Sequence, residues 1–93
     1  MNDQQRKLAR HALGLPNKQH TSYRNRFCTG PDADNYADWK AMVASGEAIE
    51  RTSALWGGDS IFALTLKGAL AAREPKEHLS REDVMEMRTF EEV

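Results

Sequence analysis

The chain has 93 residues, a formal net charge of −1, 29% charged side chains and one cysteine. That length fits one small domain with little room for a deep active-site cleft, and a lone thiol excludes an intramolecular disulfide. The start is polar and no apolar run approaches the roughly 20 residues that cross a bilayer, so the expectation is a cytoplasmic protein held together by packing in a reducing compartment.

The near-zero net charge conceals a segregation along the chain. Residues 1–27 carry Arg6, Lys7, Arg10, Lys18, Arg24 and Arg26 against Asp3 alone. Residues 28–50 reverse this, with Asp32, Asp34, Asp38, Glu47 and Glu50 against Lys40. Such a split lets an anionic partner approach from one side only.

The first predicted element is an amphipathic helix from Asp3 to Leu13, with Leu8, Ala9, Ala12 and Leu13 at helical spacing. Gly14 supplies a left-handed stop, Pro16 prevents continuation, and Leu15 is placed to fold back on the helix end. In Thr21–Phe27 either hydroxyl residue could cap a single helical turn. That turn would put Tyr23 and Phe27 on one face and leave Arg24 and Arg26 outward. Residues 28–32 read as a turn cluster. A second helix is expected from Asp32 or Asp34 to about Ser45, with Tyr36, Trp39 and Val43 on its apolar face and Gly46 closing it.

A β-hairpin follows, with Glu47–Ser53 and Ser60–Leu64 as strands and Gly57-Gly58-Asp59 at the turn. Ile49, Phe62 and Leu64 are expected to face the core. Thr65 caps the next helix, from Leu66 to Arg73, in which Gly68 fits close packing against the sheet better than helix propensity. Residues 76–93 read as an acidic tail in which Ser80-Arg81-Glu82-Asp83 starts a short helix through about Arg88. Val84, Met85 and Met87 are its apolar residues, and the pattern leaves open a docked or a frayed tail and a homodimer interface. The expected organisation is a winged-helix-like α+β domain over 1–75, helices with a two-stranded hairpin wing followed by a helix, and a tail over 76–93.

Ala12-Leu13-Gly14-Leu15, Tyr23-Arg24-Asn25-Arg26-Phe27, the helix ending at Gly46, Gly57-Gly58-Asp59 and Phe62-x-Leu64-Thr65-x-x-Gly68 together resemble small proteins of tailed bacteriophages and prophages that have no established biochemistry. The similarity covers residues 8–72. The Leu-Thr-x-x-Gly element also resembles the strand-to-helix junction after the wing of bacterial winged-helix transcription regulators. This resemblance implies a phage or prophage accessory role without an activity. One departure concerns DNA docking: the helix before the hairpin carries Asp32, Asp34 and Asp38 where a groove-reading helix needs basic and amide side chains.

No catalytic signature is present, and the expectation is a non-enzymatic protein without cofactor or metal. His11, His20 and Cys28 match no zinc spacing. Cys28 has a hint of positive surroundings in Arg24 and Arg26 but no evident base. Gly57-Gly58 lacks the lysine pattern of a phosphate loop. Trp39 reads as core, whereas Trp56 either closes the open end of the core or acts as a wing-tip contact. Two functions follow. Nucleic acid, DNA in particular, would be gripped by Lys18, Arg24, Arg26 and Trp56; alternatively, a host or phage protein would be engaged through the acidic helix, at Asp34 and Asp38, and the tail. Asn25 reads as structural, pinning the connector.

Overall fold

The computed structural model describes residues 1–52, 55 and 57–91. Trp56, the expected wing-tip contact, and Ser53, the expected end of the first hairpin strand, lie outside the described residues. The chain forms a small α+β domain of four helices and a three-stranded antiparallel sheet: α1 (Asp3–Leu13), β1 (Phe27–Thr29), α2 (Tyr36–Ala44), β2 (Ala48–Thr52), β3 (Ser60–Leu64), α3 (Leu66–Ala72) and α4 (Arg81–Glu91). The sheet order is β1-β3-β2. No helix among the described residues is long and apolar enough to cross a membrane.

The glycine stop of α1 and the Thr65 cap of α3 act as the sequence predicts, and the start of α1 carries a cap that the sequence analysis did not name. Asn2 and Gln5 form a reciprocal capping box at the start of α1. Gly14 takes φ 80° at its end, and Leu15 donates its N–H to the Arg10 carbonyl at 2.8 Å with its side chain buried. Thr65 Oγ1 accepts from the Gly68 N–H and itself donates to the Gly46 carbonyl. Gly68 is a packing glycine: a Cβ there would lie 2.0 Å from the Glu47 carbonyl oxygen, where β2 is entered.

The register sorts side chains by alternation. Phe27 pairs with Phe62, Glu50 with Phe62 and Ala48 with Leu64, so these share the inner face. There Trp39 stacks on Phe62 at 5.4 Å between ring centroids and tilts against Phe27 at 5.3 Å. Ala9, Ala12 and Leu13 of α1, Met42 of α2, and Ala69 and Ala72 of α3 complete the core. Glu50 enters this face from the edge strand and is held by Lys40 at 2.6 Å and Ser60 at 2.6 Å. Those hydrogen bonds, Lys40 first, lower the Glu50 pKa against the effect of burial.

Four expectations change. Ile49 pairs with Ala63 and therefore lies on the outer face, opposite Phe62 and Leu64, and is only half-buried. The helix expected from Asp32 or Asp34 begins at Tyr36, because residues 30–36 close turns through Ala33 N–H to Gly30 and Tyr36 N–H to Ala33. Thr21–Phe27 is not a helical turn. It runs extended into a third strand, β1, so the sheet exceeds the expected hairpin.

The fourth change is the length of the tail helix, which runs to Glu91 rather than about Arg88, and of the two arrangements left open the tail takes the docked one. Met87 is fully buried in the core and Val84 half-buried, while Met85 is 61% exposed. Ahead of α4, His78 bridges Thr21 in parallel, donating to the His20 carbonyl at 2.7 Å and accepting from Ser22 N–H at 2.9 Å. The cap of α4 incorporates Ser22. Asp83 N–H donates to Ser80 Oγ, Ser80 N–H donates to Ser22 Oγ, and Ser22 Oγ–H donates to Asp83 Oδ2 at 2.7 Å. A residue from the first third of the chain thus closes a capping box in the last.

Candidate functional site

The segment Tyr23–Cys28 is extended because two distant elements consume its hydrogen bonds. The last carbonyls of α1 lack intrahelical donors. Leu13 accepts from Tyr23 N–H at 3.2 Å, Ala12 from Arg26 N–H at 3.3 Å, and His11 from the Arg24 guanidinium at 2.7 Å. Arg24 thereby also meets the negative end of the helix dipole. Asn25, buried, does the rest. Its amide donates to the Leu64 carbonyl at 3.0 Å and its Oδ1 accepts from Leu64 N–H at 2.8 Å. In register, Asn25 stands where a strand residue would pair with Leu64, and its side chain replaces that backbone.

Extended backbone turns alternate side chains to one face. Arg24, Arg26 and Cys28 therefore share the outer side, and with His11, Phe27 and Ile61 they line an open depression of about 330 Å³. A second depression of about 410 Å³ shares Arg26 and Ile61 and adds Asn25, Arg51, Ala63 and Glu86. The two adjoin at Arg26 and Ile61, a groove in two parts. Arg51 reaches it because it pairs with Ile61, the same residue that pairs with Cys28. Arginines come from two elements, the β1 segment and β2, the His11 imidazole comes from α1, and Glu86 is the single acid among the lining residues. Arg26 is exposed and belongs to none of the ion pairs among the described residues.

The sequence-derived candidates divide accordingly. Arg24 and Arg26 come together, while Lys18 is exposed on the connector after α1 and lines neither depression. Asp34 is exposed ahead of α2 and Asp38 half-buried on it, away from the groove lining. Asp32 and Asp59 line a separate depression beside the Gly57-Gly58 turn, beyond the other end of β1. His11 and Cys28 meet in the groove, His20 does not line it, and no group of three or more His, Cys, Asp or Glu that could hold a metal occurs among the described residues.

Sequence reading did not connect Arg51 with the site. The alternation Arg24-x-Arg26-x-Cys28 was the available signal, and it becomes legible only when that segment is taken as a strand. Comparison with protein-family models, with curated proteins and with solved structures finds no match.

Proposed function

We propose that the protein is a winged-helix-like, non-enzymatic nucleic-acid-binding module, acting in the cytoplasm of a bacterial cell or phage-infected host. The observation that carries this reading is the groove. Guanidinium groups from β2 and the β1 segment and the His11 imidazole line two adjoining depressions whose lining includes a single carboxylate. Arginines so arranged suit phosphate oxygens, which accept paired N–H bonds. The sheet order β1-β3-β2, with a helix before, within and after it, supports the winged-helix-like part. The phage accessory role rests on the sequence resemblance.

Binding runs through the sheet rather than α2. The exposed positions of that helix are Ala37, Lys40, Ala41 and Ala44, and Lys40 is tied to Glu50 at 2.6 Å. Few donors remain there for base edges or phosphates.

The test is fluorescence anisotropy with labelled mixed-sequence single-stranded and duplex DNA at low and near-physiological salt. Arg26→Gln with Arg51→Gln should weaken binding and flatten the salt slope by about one unit per lost phosphate contact. Arg24 is left intact because it closes the end of α1. Absence of binding to either DNA at low salt overturns the proposal. Asp34 and Asp38 then become the leading surface for a host or phage protein partner.

A further inference from the structure

Helix α4 borders two concavities. Glu86 lines the cationic groove of the sheet, whereas Val84 and Arg88 line an open depression of about 550 Å³ that α4 shares with α3. Its floor is apolar, built from Leu66 and Leu70 of α3, Leu79 ahead of α4 and Val84 on it. Arg73 and Arg88 supply charge at this floor, and neither belongs to an ion pair among the described residues. Arg73 donates one N–H to the Glu77 carbonyl at 3.0 Å, which leaves most of its guanidinium donors for other acceptors. The acid in the lining is Glu77, whose carboxylate is already gripped by Arg10. The depression therefore asks for an apolar side chain accompanied by negative charge.

The outward face of α4 offers both. Met85, 61% exposed, lies one turn before Arg88 and one turn after Glu82, so the three share a side of the helix. Glu82 is exposed and belongs to no ion pair among the described residues. It also stands four residues from Glu86, a like-charge spacing that weakens a helix left alone and that a cationic neighbour relieves. Across the depression, Leu70 is 50% exposed. Apolar groove and acidic, methionine-tipped ridge thus lie side by side on one surface. That is what a two-fold dimer uses, since each copy presents the same patch and supplies what the other lacks. Methionine adapts to irregular apolar gaps, and both Met and Arg are favoured at interface centres.

We infer that a second copy of this chain covers the depression between α3 and α4, with Met85 of each copy over the apolar floor of the other and Glu82 against the other's Arg73 and Arg88. This interface is independent of the nucleic-acid reading. It leaves the cationic groove on the opposite side of α4 uncovered.

The test is sedimentation velocity of the full chain from about 1 to 300 µM, where an interface of modest size should take the protein from monomer to dimer. Glu82→Arg and Arg88→Glu each set like charges against one another across the two-fold axis and should weaken the dimer on the order of ten-fold or more. Mixed in equal amounts, the two variants should associate again, because every charged contact of the mixed dimer joins opposite signs. Met85→Ser, at an exposed position, should weaken the dimer as well, and thermal melts show which variants keep the fold. A parent that stays monomeric at the highest concentration overturns the inference. So does a dimer that the folded variants leave unchanged, or one that the mixture fails to restore, since the copies would then meet through another surface.

Discussion

Glu77 shows what one buried carboxylate does for this fold. It is 1% exposed, and the Arg10 guanidinium of α1 grips both its oxygens, at 2.5 and 2.7 Å. Glu74 N–H donates to it at 2.7 Å, and Arg10 also reaches the Ala72 carbonyl at the end of α3. The hydrogen bond from Arg10 is the main cause that draws its pKa from 4.5 to about 2, with burial opposing and the Glu74 N–H assisting. A folded-state value below the unfolded one means that the stabilisation is present above pH 4.5 and is lost as pH falls towards 2. The shift corresponds to something on the order of 3 kcal/mol, a large part of the stability of so small a domain. Urea melts across that window should show the loss, and Glu77→Gln should be less stable at neutral pH and much flatter in its pH dependence. A parent protein equally stable at about pH 3 and pH 7 would mean that the pair does not hold α1 to the end of α3.

At the scale of elements, α4 is the clearest case of structure set by distant partners. Its cap uses Ser22, its approach is paired with Thr21, and Met87 fills the core beside Trp39, Phe62 and Leu64. A chain ending at Pro75 loses all of these together with Glu77. Its melting temperature should fall by many degrees, or cooperative unfolding should vanish, since truncating a single buried Met already costs about 2–5 kcal/mol. A truncated chain that melts like the parent would show the docking to be energetically idle. The same contrast explains what the sequence disclosed. The stop after α1, the cap of α3, the hairpin and the packing role of Gly68 rest on signals within a few residues, and all were legible. β1 was not, because the partner of Asn25 is Leu64, 39 positions on, and a Thr-Ser pair before an aromatic reads equally well as a helix cap. Misreading that segment hid the groove as well. A helical turn scatters Arg24, Arg26 and Cys28, and only a strand gathers them.

On the scale of the whole molecule, the charge segregation seen in the sequence becomes a gradient along the sheet. The cationic groove flanks the start of β1, and Asp32 and Asp59 meet beyond its end, beside the hairpin turn. An approaching polyanion feels both ends, but over different ranges. Screening acts over about 8 Å at physiological ionic strength and about 30 Å at 0.01 M, against a longest molecular dimension of 37 Å. The acids should therefore oppose binding chiefly in dilute salt, whereas contacts inside the groove persist. Asp32→Asn with Asp59→Asn should tighten nucleic-acid binding at about 0.01 M salt and change it little near 0.15 M. Arg26→Gln with Arg51→Gln should weaken it at both. Anisotropy titrations of the two variants across that range check the ordering. If the acid variant gained equally at all salt concentrations, Asp32 and Asp59 would be in direct contact with the proposed nucleic acid, and its path would extend beyond the groove onto the turn.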